Sequence, residues 1–324
     1  MRYFFLLLCF SSSLFIATSY AQEKTPQKQP AQKDTSASKK AADNATSDKN
    51  SDAAKKSETP EKKADKLNTP EIKINLPPDL QNQFKNDIKH FTNTKNIKPM
   101  LAGSEDIITL LNEETSGNPR GVAILLPNWQ QPLVSSKAIN YLSNTLPSKG
   151  WTTITIQSPK MPKNYPSKKM NLLEREEENQ ETLNQYQKKL SVIIKKVLEK
   201  AMNYPGIFLV VAEGSNAAIL VNLYAQQTDI QPDALVLLSP HLLNQSDNQF
   251  FANNLASIAV PALDLYLSRD NKLVSANAPM RKAKSKKMLK VFYRQQQFNN
   301  VISGAYPLSD LLKAINGWLK NIGW

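Results

Sequence analysis

Imidazoles and thiols set the outer limit on the chemistry available to this chain. Only His90 and His241 carry an imidazole, and the single thiol, Cys9, lies in the apolar opening stretch. Once that stretch is cleaved, disulfides, thiolate metal sites and cysteine nucleophiles are excluded. A zinc site would need carboxylates for most of its ligands, and no spacing suggests one. There is neither a phosphate-cradling P-loop nor a dinucleotide G-x-G-x-x-G, so no cofactor and no metal are expected. What remains is hydroxyl, carboxylate and imidazole chemistry. Ser215 lies in the small-residue turn Ala212-Glu213-Gly214-Ser215-Asn216, Asp270 follows an apolar run, and His241 closes Ser239-Pro240-His241. A serine, a base and an acid can transfer an acyl group when the base reaches the hydroxyl at hydrogen-bond distance. His90 falls on an early helix and reads as surface or packing.

These residues need a scaffold. Apolar runs at 122–126, 151–156, 207–211, 234–238, 263–267 and 288–293 predict strands, and 100–102 with 107–111 predicts a pair that opens the sheet. A further short strand is expected at 71–76. Between them, helical spacing appears at Leu80, Phe84, Ile88 and Phe91; at Ile139, Leu142 and Leu146; at Leu183, Tyr186, Leu190, Ile194, Val197 and Ala201; and at Leu308 through Leu319. Fully apolar strands alternating with helices imply an α/β fold, with a mostly parallel sheet and helices on both faces. Sites in such folds sit beyond the carboxyl ends of strands, which directs the search to the loops after Pro127, Val211, Leu238, Leu267 and Tyr293.

Across roughly 100–324 the chain resembles the α/β-hydrolase superfamily, and especially a group of secreted bacterial hydrolase-like proteins of unassigned activity. The resemblance is carried by Phe208-Leu-Val-Val-Ala-Glu-Gly-Ser-Asn-Ala-Ala218, by Asp233-Ala-Leu-Val-Leu-Leu-Ser-Pro240 and by Leu265-Tyr-Leu-Ser-Arg-Asp-Asn-Lys-Leu-Val274. The family's elbow, G-x-S-x-G, holds its nucleophile on a strained strand-to-helix turn. Two registers fit here. One sets Ala212, Gly214 and Asn216 on the pattern, leaves Gly214 at the nucleophile position without a hydroxyl, and makes Ser215 a helix cap. The other makes Ser215 the nucleophile but puts the bulky Glu213 where glycine belongs. The resemblance implies that Asp270 is the acid. The histidine it implies after the last strand is missing from Arg294-Gln-Gln-Gln-Phe-Asn-Asn300, leaving His241 as the substitute base. Asn128, Trp129, Glu213 and Gly214 would line the cleft, with Pro127-Asn128-Trp129 in the loop that helps bind an oxyanion in hydrolases.

The outer parts of the chain suggest where it works. Residues 1–21 have the charged start, apolar middle and small-residue end of a secretory leader, so export to the periplasm or beyond is expected. Residues 22–68, rich in Lys, Ala and Ser, read as a disordered linker, and 69–324 as the α/β-hydrolase-like domain. With cleavage, no membrane span is expected in the mature chain. The net charge is +13 with pI ≈ 9.5, and Arg281, Lys282, Lys284, Lys286, Lys287 and Lys290 concentrate part of it. Export argues against nucleic acid, leaving an anionic envelope polymer or lipid surface, or a small ligand in the cleft, as partners. The reading is a catalytically degenerate binding protein. The alternatives are a serine esterase using Ser215, His241 and Asp270, and an envelope factor that works through its basic face.

Overall fold

In the computed structural model the described residues are 80–129 and 131–324. The expected leader, linker and 71–76 strand lie outside them. The strands are β1 (Ile97–Ala102), β2 (Glu105–Asn112), β3 (Gly121–Leu126), β4 (Trp151–Ile156), β5 (Ile207–Glu213), β6 (Ala234–Leu238), β7 (Ala262–Leu267) and β8 (Tyr293–Phe298). They form one sheet in the order β1-β2-β4-β3-β5-β6-β7-β8. The β1–β2 hairpin is antiparallel, β2 meets β4 antiparallel, and from β4 to β8 every pairing is parallel. The helices are α1 (Leu80–Phe91), α2 (Lys137–Thr145), α3 (Leu172–Ala201), α4 (Gly214–Gln226), α5 (Gln245–Ser257), α6 (Lys272–Lys287) and α7 (Leu308–Asn321).

Successive side chains of a strand point to opposite faces, and β3 shows what that requires when both faces are covered. Its Val122, Ile124 and Leu126 enter a core built with α3, α4 and α5. Its Ala123 and Leu125 enter a second core with α2 and α7, where Ile139, Leu142, Leu311, Ile315 and Trp318 are buried. The mostly parallel α/β fold expected from the sequence is therefore present. A smaller cluster of Ile88, Ile108, Leu110 and Leu133 seats α1 on the hairpin, whereas His90 is exposed.

Two expectations are corrected. The last strand does not occupy 288–293. Leu289 and Phe292 take positive φ values of 51° and 55°, which no strand permits, and the extended segment begins at Tyr293. The polar run Gln295-Gln296-Gln297 is strand because β8 is a sheet edge with only one neighbour, β7. Arg281 is also no part of a basic surface. It is fully buried, and its Nε and Nη2 meet Asp264 Oδ2 and Oδ1 at 2.8 and 3.1 Å. Tyr293 Oη and Gln295 Nε2 donate to the same carboxylate at 2.9 and 2.8 Å. A buried carboxylate is tolerable only when charge and lone pairs are satisfied in this way.

Candidate functional site

The elbow forms where β5 turns into α4. Gly214, the first residue of α4, sits at φ +62°, a left-handed conformation that costs an L-residue about 1 to 2 kcal/mol. Glu213 is the N-cap, so Ser215 lies inside the first helical turn and does not cap the helix. This matches the register that puts Gly214 at the bend.

Asn128 occupies the space in front of Gly214. A Cβ placed on Gly214 would lie 2.6 Å from Asn128 Cγ and 2.8 Å from both its Oδ1 and Nδ2. The amide is held there by two backbone donors, the N–H of Ser215 at 3.1 Å and that of Trp129 at 2.9 Å, both directed at Asn128 Oδ1. Because both partners are donors, the oxygen and not the nitrogen of the amide must face them. In α/β-hydrolases the oxyanion site is built from the N–H after the nucleophile and an N–H from the loop after the third strand. In this chain the N–H groups of Ser215, at the start of α4, and of Trp129, in the loop after β3, both donate to one side-chain carbonyl, that of Asn128.

Several elements fix this loop. Asn216, fully buried on α4, donates through Nδ2 to Pro127 O at 2.7 Å and to Ser158 Oγ at 2.8 Å, and accepts from Tyr186 Oη at 2.7 Å. Trp129, expected to line the cleft, packs into the core. It is buried and meets Tyr165 and Tyr186 edge to face at 5.7 and 5.6 Å. Tyr165, from the Pro- and Lys-rich stretch after β4, donates to Asp247 Oδ2 at 2.7 Å and accepts from the Leu243 N–H at 3.2 Å. That stretch is thereby tied to α5.

Glu213 is half-buried beside the elbow and accepts from Ser136 Oγ, the N-cap of α2, at 2.6 Å. Burial lifts its carboxyl above the usual carboxylate range; the Ser136 hydrogen bond works in the opposite direction, and the nearby Asp270 charge adds to the rise. Asp270 lies after β7. Its Oδ2 accepts from Ser239 Oγ at 2.6 Å and from the Leu267 N–H at 2.9 Å, and its Oδ1 from the Asn271 N–H at 2.8 Å. The loop after β8, 299–307, places a phenol against the Ser239 hydroxyl that bonds this acid. Tyr306 Oη is 2.8 Å from Ser239 Oγ and 3.0 Å from Leu265 O. Burial holds this phenol far above its ordinary pKa, so it cannot serve as a base near neutrality.

Ser215 Oγ makes no hydrogen bond to His241 or to Asp270, although the Asp270 charge acts on the imidazole. Ser215 is 1% exposed, and its Oγ has no hydrogen-bond partner among the described residues. His241 is buried with Nδ1 2.9 Å from Ser239 O. A carbonyl can only accept, so that nitrogen carries the proton. Burial lowers its pKa, against the opposing effect of that hydrogen bond. His241 approaches the elbow through its backbone, its N–H lying 3.4 Å from Gly214 O. The sequence singled out Asn128 and Gly214 but not their mutual contact. Ser136, Ser239 and Tyr306 were not read as site residues, since a serine before a helix or a tyrosine in a loop gives no signal without its partner.

The family described as "Protein of unknown function (DUF3530)" matches residues 1–321, and the chain belongs to it. No curated protein sequence matches. Among solved structures, Est1E from Butyrivibrio proteoclasticus aligns at TM-score 0.52 and 9% identity, over 70% of this chain and 98% of its own. Thermogutta terrifontis esterase 2, in a form phosphoramylated by tabun, aligns at TM-score 0.52 and 10% identity, over 72% and 97%. At such identities the likeness establishes the α/β-hydrolase fold and nothing finer.

Proposed function

We propose that this chain is an exported, catalytically silent α/β-hydrolase-fold protein that acts by binding at the cell envelope. The observation that carries the silence is the Asn128 amide, which stands in front of a nucleophile position occupied by glycine and accepts from the two backbone N–H groups that would otherwise stabilise an oxyanion. Hydrolysis by this fold needs a hydroxyl at the bend, a base to take its proton and donors free to receive the developing charge. Each requirement meets an obstacle here: a hydrogen for a side chain at 214, a phenol in the loop after β8, and donors already engaged. The esterase alternative requires Ser215 to meet an imidazole, and its Oγ meets no partner. The envelope half of the proposal draws on the leader-like residues 1–21 and the net charge of +13.

A fluorophosphonate probe tests the silence directly. The purified protein is expected to remain unlabelled under conditions that label a serine esterase to completion, and to hydrolyse short acyl esters no faster than the Ser215→Ala variant. Labelling mapped to Ser215 and abolished by that substitution would overturn the proposal. Cell fractionation tests the location, with recovery in the cytoplasm as the contrary result.

A further inference from the structure

The turn between α6 and β8 departs from the rest of the surface. Met288, Leu289, Val291 and Phe292 are 58, 83, 66 and 54% exposed, four large apolar side chains within five positions. Two of them, Leu289 and Phe292, are held at positive φ, which bulky residues rarely adopt. Strain of this kind persists only where surrounding structure enforces it, and it points toward function. The base of the turn is indeed tied down. Lys290 Nζ donates to Ile258 O and, at 2.9 Å, to Val260 O; the Lys290 N–H bonds Ser285 O at 3.0 Å. Lys282, Lys286 and Lys287 are exposed around the turn, and Lys282 and Lys286 flank a cavity of ≈ 460 Å³ that also touches Leu289.

We propose that the α6–β8 turn is a membrane-docking tip, whose Met288, Leu289, Val291 and Phe292 enter the interfacial layer of an anionic lipid bilayer while Lys282, Lys286 and Lys287 meet its headgroups. This deepens the envelope reading above and rests on it. A soluble polyanion would pair with the lysines but offers no apolar phase for four large side chains. A second copy would offer apolar surface but bring the same lysines, and like charges would face each other. An anionic bilayer supplies both partners at one interface, apolar at the acyl boundary and negative at the headgroups. Among the described residues no helix is long and apolar enough to cross a membrane.

Sedimentation of the full chain with vesicles decides the matter. Retention is expected on phosphatidylcholine vesicles containing phosphatidylglycerol, weaker on phosphatidylcholine alone, and declining as salt screens the lysines. Leu289→Ser with Phe292→Ser should cut retention about tenfold or more, since each removes an inserting apolar group. The melting temperature should hold, because both side chains are exposed. Lys282→Gln with Lys286→Gln should abolish the preference for phosphatidylglycerol. Equal retention of the wild type and the Leu289/Phe292 variant would overturn the tip. So would a dimer in solution that the apolar variant dissolves, with no vesicle retention, since the face would then belong to a second copy. If the wild type is retained neither on vesicles nor on an immobilised polyanion, the envelope reading fails as well. Retention that is strong but indifferent to the apolar substitutions removes the tip alone. The fluorophosphonate result bears on neither outcome.

Discussion

Gly214 and Asn128 occupy one space between them, and a double-mutant cycle measures how strongly. Gly214→Ala adds a Cβ 2.6 Å from Asn128 Cγ, so the amide must swing away. The backbone stays at φ +62°, which costs about 1 to 2 kcal/mol for alanine. Displacing the amide releases the two backbone hydrogen bonds at 2.9 and 3.1 Å, each worth about 1 kcal/mol. The single variant should therefore lose about 3 to 4 kcal/mol. Asn128→Ala forfeits the same two bonds and should lose about 2 kcal/mol. In the double variant the clash is gone and the bonds are lost only once, so its cost stays at about 3 to 4 kcal/mol, about 2 kcal/mol less than the sum. Urea denaturation of the four proteins, read by tryptophan fluorescence, supplies the numbers. Costs that add to within about 0.5 kcal/mol, the ordinary scatter for independent sites, would refute the contact.

Further outcomes follow from the surrounding groups. Burial raises the Glu213 carboxyl above its usual value near 4.5, so its charged form is penalised in the folded state. That contribution to stability is fully present below the unfolded pKa and is lost as pH rises through the folded one. Glu213→Gln, which can still accept from Ser136, is thus expected to be more stable than the wild type at pH 7, with the gain shrinking as pH falls toward 4.5 in thermal melts; a gain that grows on acidification contradicts the assignment. Arg281→Met leaves Asp264 buried without its counter-charge and should cost about 3 kcal/mol. Arg281→Met with Asp264→Leu should recover part of that loss, and a single-variant cost below about 1 kcal/mol by urea midpoint would show the pair to be dispensable.

The sequence revealed elements that stand on their own composition and hid those that depend on a partner. The run 122–126 reads as a buried strand because both faces of β3 are covered and every position is apolar. β8 does not, because Gln295 becomes acceptable inside a strand only through Asp264 and the Ala278 carbonyl, which accept from its Nε2. The helix α5 escaped notice since its buried face includes Asp247 and Asn248 beside Phe251 and Leu255; α6 was hidden by Pro279 and by an arginine that turns inward. At the site, the spacing of Ala212, Gly214 and Asn216 offered one of two registers, and the positive φ of Gly214 decides where the bend falls. The part played by Asn128 depends on an N–H that lies 87 positions further along the chain. An amide directly after an apolar strand was the only hint available.

The direction of the parallel strands gives the docked molecule an orientation. The α6–β8 turn lies at the amino end of β8, the elbow lies at the carboxyl end of β5, and both strands run the same way through one sheet. A strand of six residues spans about 20 Å. A molecule resting on that turn would therefore stand upright, with Asn128, Glu213 and Asp270 held roughly that far above the lipid. What the elbow end meets would then arrive from the aqueous side, out of reach of the bilayer beneath.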